Sequence, residues 1–123
     1  MDPEKKLTDF SAKVIATIRK IPRGKVATYQ QVAGLCGKPH ASRGVSWILN
    51  SCAKKYQLPW QRVLSSKGAI AFKRDTHHFR LQRSLLKREG VDVEVDGSIE
   101  MRKFQWRKKA RTRPRRGQPR MFG

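Results

Sequence analysis

Apolar residues near the start of the chain recur with the period of a helix. Phe10, Val14, Ile15, Ile18 and Ile21 fall on one face, with Thr8 or Asp9 placed to cap the start and Pro22 and Gly24 to end it. The stretch TYQQVAGLC, residues 28–36, predicts a second, shorter helix with Thr28 at its N-cap and Gly37 just past its end. The link Gly37-Lys38-Pro39-His40 then turns the chain. A third helix is expected from Ala41 or Ser42 through RGVSWILNSC, and Trp47, at helical spacing from Arg43, is assigned to the core rather than to a wedge. Two short helices joined by a turn with Gly and Pro predict a helix-turn-helix.

After Pro59 the pattern changes. RVLSSKGAIAF holds two short apolar runs split by Ser65-Ser66-Lys67-Gly68, which reads as a hairpin or two extended segments. Asp75 or Thr76 can cap a long helix through Glu89, with Phe79, Leu85 and Leu86 inward and Gly90 as the stop. VDVEVDGSI suits an extended segment. Past Trp106 the sequence RKKARTRPRRGQPRMFG loses all periodicity and reads as a disordered tail, so residues 1–106 are expected to form one domain and 107–123 a basic extension. The fold class implied is mainly α with some β, built around a winged-helix-like helix-turn-helix.

Charge narrows the partners. The chain of 123 residues carries 29 Lys and Arg against 9 Asp and Glu, a formal net charge of +20. Between Asp9 and Asp75 there are thirteen Lys or Arg and no acid; from Arg102 to Arg120 there are ten more, again without an acid. Blocks of this kind attract polyanions, and neutralising phosphates is their commonest use. The N-terminus lacks the apolar stretch of a secretory signal, and no apolar run approaches the length of a membrane span. Neither a membrane partner nor a membrane location is therefore expected, and the chain is placed in the cytoplasm with the nucleoid, or in a nucleus if the source is eukaryotic. Cys36 and Cys52 are too few for a disulfide framework, and His40, His77 and His78 do not fall at ligand spacings around them, so neither a metal nor a cofactor is expected.

Read together, GKVATYQQVAGLCGKPHASRGVSWILN, PWQRV and GAIAFKRD resemble the DNA-binding domain of O6-alkylguanine-DNA alkyltransferases over about residues 8–92. That family carries Pro-Cys-His-Arg-Val, whose cysteine accepts the alkyl group. Here the motif is Pro59-Trp60-Gln61-Arg62-Val63, with Trp60 in the place of the nucleophile and Gln61 in that of the activating histidine. A tryptophan in that place is the mark of alkyltransferase-like proteins, which bind alkylated guanine without repairing it. The chemistry agrees. Dealkylation needs a thiolate with a neighbouring base or cation, indole only donates a hydrogen bond, and glutamine does not relay a proton.

The resemblance also implies roles for single residues. The lesion pocket would comprise Tyr29, Pro59, Trp60 and Arg74, and Arg43 would be the arginine finger that fills the space left by a base rotated out of the stack. Thr28, Tyr29, Gln30, Ala41, Ser42, Arg43, Gly44, Ser65 and Ser66 would meet the DNA, the small residues of the recognition helix allowing close approach to the minor groove. Arg62 would tie the motif loop to the neighbouring chain. Taken singly, each residue has a plainer role: Trp60 as a core aromatic, Arg43 as a phosphate binder, Arg74 beside Asp75 or in solvent. The function implied is a monomeric, non-enzymatic sensor that binds O6-alkylguanine in double-stranded DNA, flips it and flags it for nucleotide excision repair proteins. Two other classes stay open: an architectural or regulatory helix-turn-helix protein, and an alkyltransferase using an atypical cysteine.

Overall fold

The structure, a computed structural model, describes residues 8–107. The expected basic tail, Arg107 apart, lies outside the described residues. Thr8 caps the first helix, its hydroxyl accepting from the Ser11 N–H at 3.0 Å, and α1 spans Asp9–Arg19. Strand β1 (Ala27–Thr28) leads directly into α2 (Tyr29–Leu35), where the Thr28 hydroxyl accepts from the Gln31 N–H. Gly37, at φ +86°, takes the left-handed conformation that closes α2, and the Lys38 N–H returns to the Ala33 carbonyl at 2.9 Å. Helix α3 covers Ser42–Cys52. A single 3-10 turn, Trp60–Arg62, feeds β2 (Val63–Leu64); α4 (His77–Arg88) and the short α5 (Met101–Phe104) complete the order.

The two strands pair in parallel, Ala27 opposite Val63 and Thr28 opposite Leu64. Because successive strand residues point to opposite faces, this pair divides the interior in two. Ala27 and Val63 join a core with Val14, Ile15 and Ile18 of α1, Val32 of α2 and Val45 of α3. Val26 and Leu64 join a second core with Phe79 and Leu86 of α4 and with Val91, Val93, Ile99 and Phe104. Residues 104–106 are tied back to the chain just before β1: the Val26 N–H donates to the Phe104 carbonyl and the Trp106 N–H to the Val26 carbonyl at 2.7 Å.

The two runs after Pro59 do not form a regular hairpin with each other. Residues 65–68 make a tight turn, after which Ala69 bridges antiparallel to Ser98 and the Ile70 N–H donates to Gly97. The extended reading of residues 91–99 is thus half right, since only its end pairs. Gly97, at φ +91°, lies so close to Phe79 that a Cβ there would stand 2.7 Å from the ring.

Trp47 departs from its expected place. It is 69% exposed, whereas Val45, Ile48 and Leu49 are the buried positions of α3. At about 100° per residue Trp47 lies roughly 200° around the helix from Val45, so a stripe that buries 45, 48 and 49 must present 47 to solvent.

Candidate nucleic-acid interface

A cavity of about 950 Å³ opens beside the 3-10 turn, with Tyr29, Asn50, Trp60, Phe72, His78 and Leu81 among its lining residues. The size falls within the usual range for sites that take a drug-sized ligand, about 300–1,000 Å³. Its wall is aromatic. Trp60 meets Phe72 edge-on, with centroids 6.2 Å apart, and Phe72 stacks on His78 at 5.1 Å. Leu49, Leu58 and Val63 add an apolar lining. Tyr29 reaches the same cavity from the first residue of α2. Burial pushes its phenol above the usual tyrosine range, only partly offset by a hydrogen bond with Ser46 of α3. It is a neutral group that joins α2 to α3 across the cavity edge.

The residues after Trp60 face elsewhere. Gln61 Nε2 donates to Glu89 Oε2 at 2.8 Å, so its amide is held by a carboxylate and does not line the cavity. Arg62 forks onto the same carboxylate through Nε at 2.9 Å and Nη2 at 3.0 Å, while its Nη1 donates to the Ile21 carbonyl. The Gly24 N–H adds a further bond to Glu89 Oε1. Burial alone would push the Glu89 carboxyl up. The Arg62, Gly24 and Gln61 hydrogen bonds and the Arg62 charge outweigh it and hold the carboxyl below its usual range. The Glu89 side chain is 4% exposed and that of Arg62 17%, so this is a largely buried pair with its hydrogen bonds filled. Buried Gln82 completes the frame, donating to the carbonyls of Gln61 and Val63. Arg62 has the structural role expected of it.

Other expected positions divide. Of the pocket residues, Tyr29 and Trp60 line the cavity; Pro59 precedes the 3-10 turn without lining it, and Arg74 is exposed, with Asp96 its electrostatic neighbour. Phe72, two residues before Arg74, and His78, the second residue of α4, stand in the wall instead. Thr28 is buried, its hydroxyl engaged as the α2 cap. Gln30 is exposed at the start of α2. Ser42 and Arg43 open α3, with Arg43 exposed, while Ala41 and Gly44 are half-buried, Gly44 so placed that a Cβ would lie 3.5 Å from the Phe10 ring. Ser65 and Ser66 sit in the turn after β2, outside the cavity.

Reading the sequence missed Glu89, Phe72, His78 and Asn50. Glu89 reads there only as a helix end, and the two aromatics carry no motif of their own. Among the described residues no group of three or more His, Cys, Asp or Glu could hold a metal ion, and no helix is long and apolar enough to cross a membrane. The acid-free segment between Asp9 and Asp75 includes most of α1, all of α2 and α3, and the 3-10 turn, so the cavity edge on the α3 side carries positive charge only.

Three comparisons place this geometry among known proteins. A family model described as 6-O-methylguanine DNA methyltransferase, DNA binding domain, matches residues 9–91. A DNA base-flipping protein of Vibrio parahaemolyticus is 37% identical over 101 residues, covering 81% of this chain and 98% of that protein. Alkyltransferase-like protein 1 of Schizosaccharomyces pombe is 31% identical over 88 residues, covering 72% of this chain and 82% of that protein. The crystal structure of S. pombe Atl1 with damaged DNA containing O6-carboxymethylguanine superposes with a TM-score of 0.71 at 28% identity, over 81% of this chain and 96% of that one.

Proposed function

The chain belongs to the family of the 6-O-methylguanine DNA methyltransferase DNA-binding domain, and on that premise we propose that it is a non-enzymatic sensor of O6-alkylguanine in duplex DNA. It rotates the damaged base into the cavity and so marks the site for nucleotide excision repair. The observation that carries this reading is the cavity wall. An indole stands there, Gln61 is held away by Glu89, and among the described residues no cysteine lines the space. Cys36 is buried beside the Thr17 hydroxyl at 3.5 Å, and Cys52 is half-buried at the end of α3. Transfer of an alkyl group needs a thiolate at the flipped base. Capture of the base needs only a π-face and an apolar wall, which Trp60 and Phe72 provide.

Unstacking a base costs a few kcal/mol, and contact with an aromatic face returns about 1–3 kcal/mol. Trp60 therefore offsets much of the cost but leaves a need for help from outside the cavity. Arg43, exposed near the start of α3, fills the vacated position, and Tyr29 crowds the backbone from the cavity edge. Arg74, on the loop that carries Phe72, closes over the base once it arrives. Ser42, Gln30 and the 65–66 turn meet the backbone. The protein acts as a monomer without a cofactor, wherever chromosomal DNA lies: with the nucleoid, or in a nucleus. The names of the Vibrio and yeast relatives and the damaged-DNA complex support the same reading.

Matched duplexes with and without a single O6-methylguanine, titrated at one stated salt concentration, test it. Tighter binding to the damaged duplex is expected, with no methyl adduct on the protein by mass spectrometry. Equal affinities would make the chain an architectural binder, and a methylated cysteine would make it an enzyme.

A further inference from the structure

Trp47 is an indole 69% exposed on a helix whose other large apolar residues at 45, 48 and 49 are buried, and no partner for it occurs among the described residues. It shares its face with two other exposed residues of α3. Counting about 100° per residue, Arg43, Trp47 and Asn50 cluster within roughly 60° on the side opposite the core. Along the axis Trp47 follows Arg43 by about 6 Å and precedes Asn50 by about 4.5 Å. Asn50 lines the cavity. The indole thus lies between the arginine and the cavity mouth, in the segment that holds thirteen Lys or Arg and no acid.

We propose that Trp47 is a second wedge, packing its indole against the base step next to the rotated nucleotide. The inference rests on the sensor reading. Its partner is duplex DNA, because its neighbours on this face of α3 are Arg43, an exposed cation that complements phosphate, and Asn50, part of the wall of the cavity that takes the rotated base. A flat apolar side chain beside an opened step keeps water from the exposed base faces and resists their restacking, as wedge residues in the minor groove do. Burying the indole there also removes from water an apolar surface that the free protein leaves exposed. Arg43 carries charge into the gap; Trp47 supplies the area.

The test uses the full chain with Trp47→Ala and Trp47→Phe, and matched duplexes with and without O6-methylguanine. Trp47→Ala is expected to weaken binding to the damaged duplex by roughly 5- to 150-fold, the range of one base–aromatic contact, and to change binding to the undamaged duplex far less. Trp47→Phe should recover most of the loss. In protein carrying 5-fluorotryptophan, the resonance assigned through Trp47→Phe should shift and lose solvent exposure when damaged duplex is added. Unchanged or tighter binding by Trp47→Ala, equal losses on both duplexes, or an unmoved resonance overturns the assignment; the first result would return this face to a protein partner. Circular dichroism of both variants confirms that an exposed substitution leaves the fold in place. If the unsubstituted protein shows no preference for O6-methylguanine, the sensor reading fails by itself. If the preference is present and Trp47→Ala retains it, only the wedge fails.

Discussion

Trp60 and Arg62, two residues apart in one 3-10 turn, stand in opposite environments. Trp60 borders an open cavity walled by ring faces and apolar side chains. Arg62 lies in a closed lattice in which Glu89, Gln61, Gly24 and Ile21 all have partners. One side of the turn has an open face left over, and the other is largely taken up by hydrogen bonds. The contrast separates binding from support: a side chain with one face on the core and the other on an open cavity is free to meet a ligand, while the hydrogen-bonded one fixes where the first will stand. Substitutions on the two sides should therefore be read by different measurements.

The largest effect belongs to the closed side. Arg62→Ala would leave the Glu89 carboxylate buried beside only Gln61 and the Gly24 N–H, and losing one member of a buried pair costs about 3–5 kcal/mol. Chemical denaturation should show a loss of that order. Lesion preference should fall only as far as the turn is displaced. A change under about 1 kcal/mol would mean that the pair is weakly coupled to folding, and the contrast would dissolve.

Trp60→Ala should give the reverse. The indole is half-buried, one face on the α1–α3 core and the other on the cavity, so its loss should be read chiefly in binding of a flipped base. The expected loss on O6-methylguanine duplex is about 1–3 kcal/mol, with undamaged duplex changed much less. Equal losses on the two duplexes would make Trp60 an ordinary backbone contact. Trp60→Cys should not restore alkyl transfer, because Gln61 is bonded to Glu89 and provides no base for the thiol; a methyl adduct on the introduced thiol would refute that account.

The contrast was half legible in the sequence. The helices followed from apolar spacing and caps, since Thr8, Thr28 and Thr76 all accept the expected N–H. The motif Pro59-Trp60-Gln61-Arg62-Val63 gave the position of the indole because its residues are contiguous. What failed were relations across the chain. Nothing local tells Glu89 that it will receive Gln61, Arg62 and Gly24, or brings Phe72 and His78 to Trp60; both depend on β1 and β2 pairing in parallel and on where α4 then lies. Trp47 failed for another reason. A tryptophan at helical spacing in an apolar segment reads as core, but its angle on α3 places it opposite the buried stripe of Val45, Ile48 and Leu49.

The smallest expected effect concerns pH, where the two sides should fail at opposite ends. Glu89 is held below the usual carboxylate range in the folded protein, so its stabilisation is complete above the unfolded value and is lost as pH falls through the folded one. Tyr29 is raised, chiefly by burial, so the fold favours the neutral phenol. That contribution is complete below the ordinary tyrosine value and is lost as pH rises through the folded one. The self-repulsion of a chain at +20 also varies with pH, which masks the tyrosine in a simple titration. The comparison therefore needs variants. Glu89→Gln should be less stable than the unsubstituted protein at neutral pH and should approach it in acid, with no change in their alkaline difference. Tyr29→Phe removes the hydroxyl that meets Ser46, about 0.5–1.5 kcal/mol at neutral pH, and that deficit should shrink in alkali alone. Denaturation midpoints measured at acid, neutral and alkaline pH for the three proteins decide it. If both variants converge with the unsubstituted protein at the same end, the open and closed sides of the turn do not titrate separately and the division drawn at Trp60 is misplaced.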